Sequence, residues 1–174
     1  MAVDLEKIQA IASWPQLKTV KQLKGFLGLA GYYRKFIKDF GTIARPLTQL
    51  LRKDCFRWTE LATTAFEQLK QVLSTAPVLQ LPDFTKPFIV ECDASSVGFG
   101  AVLHQGAGPT AFFSRMIAPR HAKLAAYERE LIGLVTTVKH WRPYLWGRTF
   151  IIRSNHYILK YILDQRLSTI PQYQ

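Results

Sequence analysis

Cysteine is scarce in this chain of 174 residues, which has only Cys55 and Cys92. They lie far apart, and no Cys or His stands at zinc-ligand spacing beside either. Neither a disulfide framework nor a structural zinc site is indicated, and a reducing compartment fits best. No apolar run approaches ~20 residues, so no membrane span is expected. The start of the chain carries Asp4 and Glu6 and lacks an apolar stretch with a cleavage site, so no signal peptide is expected either. With no recognisable address, the expected place is intracellular, cytoplasmic or nuclear. Acidic residues are also few: 12 Asp and Glu stand against 23 Lys and Arg, a formal charge of +11. Such an excess favours polyanion partners, nucleic acid first. Because the cations are scattered rather than gathered in one run, a merely solubilising surface accounts for them as well.

The apolar content, 48%, is enough to bury a core at this length. Residues 4–14 place Leu5, Ile8, Ile11 and Ala12 at helical spacing, and Pro15 ends that run. A second helix starts at Thr19 as N-cap, with Leu23, Phe26, Leu27 and Ala30 on one face. It also carries Gly25, Gly28 and Gly31, each costing about 1 kcal/mol of helicity against Ala, so a packing reason for them is expected. Tyr32, Tyr33 and Phe36 then alternate with Arg34, Lys35 and Lys38, a pattern that suits a phosphate backbone or, more simply, a helix with a core face and a wet face. Residues 43–51, with Pro46 near the start, and 59–73, with Leu61, Phe66, Leu69 and Leu73 as its stripe, read as two further helices.

Prolines on both sides of a polar turn at residues 79–87 mark a connector, and we divide the chain there, into residues 1–80 and 81–174. Beyond it the apolar period becomes two: residues 87–93, 99–104 and 110–117 read as a three-stranded meander. Residues 123–145 read as the longest helix, buried through Leu124, Tyr127, Leu131, Leu134, Val135 and Val138 and ended by Gly147. A short strand at 149–153 and a helix at 157–165 follow. The fold class is α/β (α+β), a helical region followed by a mixed sheet with helices.

Several segments of the second part carry a resemblance: FIVECDAS at 88–95, GFGAVLHQ at 98–105, AFFS at 111–114, YERELI at 127–132 and WRPYLWG at 141–147. It resembles the RNase H-like domain of gypsy-type LTR retrotransposon Pol polyproteins. The first part, through KGFLGLAGYYRKFI at 24–37, IARPLT at 43–48 and APVL at 76–79, resembles the reverse transcriptase thumb and connection region that precedes that domain. Plant versions of these elements look nearest. The resemblance implies a nuclease that uses paired divalent metals, since in-line attack on phosphate needs both attacking and leaving oxygens stabilised. It puts Asp93 in the place of the central ligand and Glu130 in that of the second; Glu128, two residues earlier, points to another side of the helix.

The family's third acid belongs to a Thr-Asp-His motif, where this chain has Ser154, Asn155 and His156. An amide offers a neutral oxygen and removes a full negative charge. The family also continues through another strand and helix bearing a further acid. We therefore expect Asp93, Glu130 and Asn155 to be vestigial, with no cofactor bound and Mg2+ or Mn2+ relevant only to residual nuclease. His156 is expected to be structural. The family's polymerase subdomains are expected to lie before this chain, which holds no Asp-Asp pair.

The function expected first is that of a domesticated, catalytically silent module that binds protein, with three alternatives behind it. A silent module without the last strand and helix would expose apolar surface and a sheet edge, and so bind a protein partner or itself, as a regulator, an inhibitor or half of a toxin and antidote pair. Alternatively, the chain binds RNA or DNA without cutting it, through Lys24, Tyr32, Tyr33, Arg34, Lys35 and Lys38. Weak manganese-dependent cleavage and a relic without a task are the remaining readings. The mutual consistency of stripes, turns and alternation speaks for a folding sequence.

Overall fold

A computed structural model describes residues 10–75 and 79–154. The first expected helix therefore lies mostly outside the described residues; its end is seen at residues 10–12, where Ile11 is fully buried. Helix α1 (Val20–Tyr32) begins where its cap predicts, with Thr19 Oγ1 accepting the Gln22 backbone N–H at 3.2 Å. Leu23, Phe26 and Ala30 are its buried face. The expected packing reason for its glycines is absent among the described residues: a Cβ at Gly25, Gly28 or Gly31 would meet no atom within 4 Å. Spaced at three rather than 3.6, these positions drift around the helix and do not form a seam.

A 3-10 turn, Arg34–Phe36, leads to α2 (Phe40–Gln49). This helix starts three residues before the expected Ile43, because Asp39 adopts a left-handed conformation with φ 56° that reverses the chain, and its carbonyl accepts the N–H groups of Thr42 and Ile43. Pro46 consequently sits in the body of the helix, where it withholds one backbone donor. In α3 (Glu60–Ser74) Thr59 Oγ1 accepts the Ala62 N–H at 3.2 Å. Its stripe is Ala62, Ala65, Phe66, Leu69 and Leu73. Leu61, expected on that stripe, is 72% exposed, since it lies about a quarter-turn away from the mean direction of the others.

Strands β1 (Phe88–Ala94), β2 (Gly98–His104) and β3 (Pro109–Met116) form the meander, and β4 (Phe150–Arg153) joins it in the order β3-β2-β1-β4. The meander pairs are antiparallel and β4 runs parallel to β1, so the sheet is mixed, as the sequence predicts. Between β3 and β4 the expected single helix is divided. After a 3-10 turn, Pro119–His121, α4 covers Ala126–His140 and a short α5 covers Arg142–Leu145, with Trp141 between them. Pro143 explains the break: it has no N–H for the carbonyl one turn back, and it sits in the first turn of α5, where that donor is not needed. The helix expected at 157–165 lies outside the described residues.

The face that α4 buries is also not the expected one. Glu130, Gly133 and Thr137 are its buried residues, Leu134 and Val138 are partly buried, and Val135 is 44% exposed. The small residue decides this. A Cβ on Gly133 would stand 3.1 Å from Phe99 and 3.3 Å from Cys92 Sγ, so the helix approaches the sheet there more closely than a leucine stripe permits.

Two buried clusters result. One contains Leu23, Phe26, Leu47, Phe66 and Leu69 from the helical part; the other contains Phe88, Val90, Leu103, Trp141 and Leu145 around the sheet. Strand β3 touches both: Phe112 packs against the first and Phe113 against the second. Successive side chains of a strand point to opposite faces, so the helical part and α4 flank β3 from opposite sides. The Gly41 N–H donates to Ser114 Oγ at 2.8 Å across this junction. Among the described residues, no helix is long and apolar enough to cross a membrane.

Candidate functional site

Because β1 and β4 are parallel, their C-terminal ends lie at the same edge of the sheet. Asp93 is exposed near the end of β1, opposite Gly100 of β2. Glu130 comes from the first half of α4 and is only 5% exposed. The Ser154 hydroxyl, just past β4, donates to Glu130 Oε2 at 3.1 Å. Thus the end of β4 and the acidic residue of α4 meet, one position before Asn155. Asn155 itself, and His156, lie outside the described residues. Glu128 is elsewhere, accepting the Ala125 N–H at 2.9 Å and capping the helix.

Cys92 was not singled out by sequence reasoning, although strand alternation puts it on the α4 side. Its Sγ lies 3.9 Å from Thr137 Oγ1. Burial pushes its thiol up to about 11, opposed by the Thr137 hydrogen bond and reinforced by the negative charges of Glu130 and Asp93. It is therefore protonated at neutral pH. Among the described residues, no three His, Cys, Asp or Glu side chains are grouped so as to share a metal ion. The described donors do not fit a paired-metal centre: one of the two carboxylates is buried and already accepts a hydroxyl, and two carboxylates are few for two divalent ions.

Of the second candidate set, every residue but one is exposed. Lys24, Tyr32, Arg34, Lys35 and Lys38 are exposed, Tyr32 at 73%. Tyr33, at 3% exposure, belongs to the first cluster, where its ring meets Tyr32 edge-on at 5.0 Å and supports it from below. Phe36 and Ile37 anchor the same turn in the core. These exposed cations and Tyr32 form a basic segment, here the ridge, next to a buried base of Tyr33, Phe36 and Ile37. At the C-terminal end of α4, His140 stacks on Phe113 with ring centroids 3.9 Å apart. Partial burial and then the charge of Arg34 hold the His140 imidazole below its ordinary value.

Residues 58–152 match the family described as RNase H-like domain found in reverse transcriptase. The Pol polyprotein of transposon 297 of Drosophila melanogaster is 41% identical over 162 residues, covering 90% of this chain and 15% of that polyprotein. The Pol polyprotein of transposon gypsy, from the same fly, is 37% identical over 177 residues, 94% of this chain and 17% of its own length. An uncharacterised mitochondrial protein of Arabidopsis thaliana is 49% identical over 89 residues, 51% of this chain and 56% of that protein. The chain therefore spans less than a fifth of the two Pol relatives. Among solved structures, a foamy viral protease-reverse transcriptase in complex with double-stranded DNA superposes with a TM-score of 0.85 at 20% identity, over 99% of this chain and 38% of that one. The same viral protein in complex with an RNA/DNA hybrid gives 0.80 at 21%, over 98% and 25%. At such identity these likenesses describe the fold.

Proposed function

Because the chain belongs to the family of RNase H-like domains found in reverse transcriptase, we propose that it is a segment of a retrotransposon Pol protein that holds a nucleic-acid duplex without cutting it. The observation that supports this best is the ridge of Lys24, Tyr32, Arg34, Lys35 and Lys38, exposed on a buried base of Tyr33, Phe36 and Ile37. Cations fixed on a packed turn meet phosphates without first losing much freedom. The complexes formed by the viral relatives, with duplex DNA and with a hybrid, agree with this occupant. Asp93 and Glu130 are on this reading vestigial, the chain is intracellular, and the division at 80/81 separates the ridge-bearing helical part from the sheet.

Binding of a short DNA duplex, titrated with salt, tests the reading. Four phosphate contacts give a slope of log affinity against log salt of roughly −3.6, and Lys35→Glu with Arg34→Glu should remove about half of it with little change in sequence preference. A slope near zero sinks the proposal. Incubation with an RNA/DNA hybrid in Mg2+ or Mn2+ is expected to leave the RNA intact, whereas cleavage abolished by Asp93→Asn would restore the nuclease reading. A protein-binding role is the second reading, favoured by Ile151 and Ile152, each 46% exposed on β4. A stoichiometric protein partner that survives nuclease treatment in a pull-down, and is lost in Ile151→Lys, would put it first.

A further inference from the structure

The end of the sheet away from Asp93 carries a cluster that the duplex reading leaves unused. Phe88 of β1 pairs with Phe150 of β4, so Phe150 marks the opposite end, roughly 17 Å along the strand from Asp93. There α5 and the loop into β4 border an open cleft of about 810 Å³. Among the described residues, the charged ones in its lining are Lys139, Arg142 and Arg148, with no acidic side chain. Trp146 stands in this lining 71% exposed, while its neighbour Trp141 is 2% exposed in the core.

Local structure accounts for only part of this. Lys139, in the last turn of α4, complements the carbonyl end of the helix. Arg148 donates to the Phe84 carbonyl and lies over the Phe84 ring, 4.9 Å from its centroid. Arg142 stacks on Trp146 at 4.0 Å and so fixes one face of the indole while the other stays open. None of these contacts supplies a negative charge, and three cations beside a braced, exposed aromatic plane suit an anion with a flat apolar part. A membrane surface also combines these preferences, but the cleft is concave and α5 is only four residues long, too short for an amphipathic interfacial helix.

We propose that the Trp146 cleft binds single-stranded nucleic acid, with one base stacked on the open face of Trp146 and flanking phosphates held by Lys139, Arg142 and Arg148. A duplex does not fit this chemistry, because its bases are already stacked on one another, whereas an unpaired base presents its face. The cleft shares no residue with the ridge: its charged residues, Lys139, Arg142 and Arg148, belong to the end of α4, to α5 and to the loop into β4. The inference rests on the chain being a nucleic-acid binder, but on a separate set of residues.

The test uses the full chain, a fluorescein-labelled oligothymidylate of about 12 nucleotides and a blunt DNA duplex of equal length, with folding of each variant checked by circular dichroism. Trp146→Leu should weaken oligothymidylate binding by roughly 5- to 100-fold and leave duplex binding within about twofold, while Trp146→Phe retains most of it. Lys35→Glu should do the reverse, weakening the duplex and sparing the single strand. Undiminished single-strand binding by Trp146→Leu overturns the proposal. So does wild-type protein that binds phosphatidylserine vesicles and ignores the oligonucleotide. If the duplex fails to bind but the oligonucleotide does so through Trp146, the duplex reading falls and the cleft stands.

Discussion

The pressure of α4 on the sheet is felt most directly at Cys92, whose thiol burial holds at about 11 against an ordinary 9.0. Exposed Cys55 should react with iodoacetamide at pH 8 while Cys92 stays unlabelled until denaturant is added. Equal labelling of the native protein would mean that α4 does not sit closely on β1. The same shift has a sign in stability. The folded thiol ionises later than the unfolded one, so its contribution is complete below pH 9 and is lost as pH rises from 9 to 11, on the order of 2 kcal/mol. Urea midpoints at pH 8 and 10.5 should therefore differ more in wild type than in Cys92→Ala. Sequence placed Asp93 and Glu130 by motif, yet gave no hint that one is exposed and the other buried under Ser154. Exposure is decided by what packs above a residue, and α4 comes from more than thirty residues further along the chain.

Within single elements, local rules worked where the cause was local. Thr19 and Thr59 cap α1 and α3 because a hydroxyl needs only the next turn's N–H, and strand alternation survives because its period is set by the backbone. They failed where a neighbouring element chooses the face: Leu61 and Val135 are apolar and well spaced but stay exposed, at 72% and 44%. The glycines separate the two situations. Gly133→Val in α4 would drive a side chain into Phe99 and Cys92 and should cost about 1–3 kcal/mol, read as a lower urea midpoint. Gly28→Ala in α1 meets no atom within 4 Å and should instead raise the midpoint, by up to about 1 kcal/mol. A stabilising Gly133→Val would contradict the close approach of α4, and a destabilising Gly28→Ala would mean that α1 packs on something at that face.

At the scale of the whole chain, residues 79–87 read as a connector, but the strand that bridges the two clusters was not legible in the sequence. Sequence shows Phe112 and Phe113 as adjacent aromatics; only the sheet sends one into the helical cluster and the other towards α4. Two further contacts reinforce the junction: the Gly41 N–H on Ser114, and Asp39, whose carboxylate occupies the space above Gly100 that a side chain there would need. These contacts are enough to couple the parts if their combined free energy exceeds what separates the stabilities of the two clusters. Hydrogen exchange in graded urea measures this, because amides of α3 and of β1 report the two clusters separately. We expect their protection to vanish at one common urea concentration in the wild type. Phe112→Ala with Ser114→Ala removes the partly buried ring and the hydrogen bond, about 2–4 kcal/mol together, and should split the transition so that one cluster opens before the other. Separate transitions already in the wild type would mean that β3 does not transmit stability. The ridge and the Trp146 cleft would then stand on independently folding parts, and a duplex bound at Lys35 could not steady the cleft.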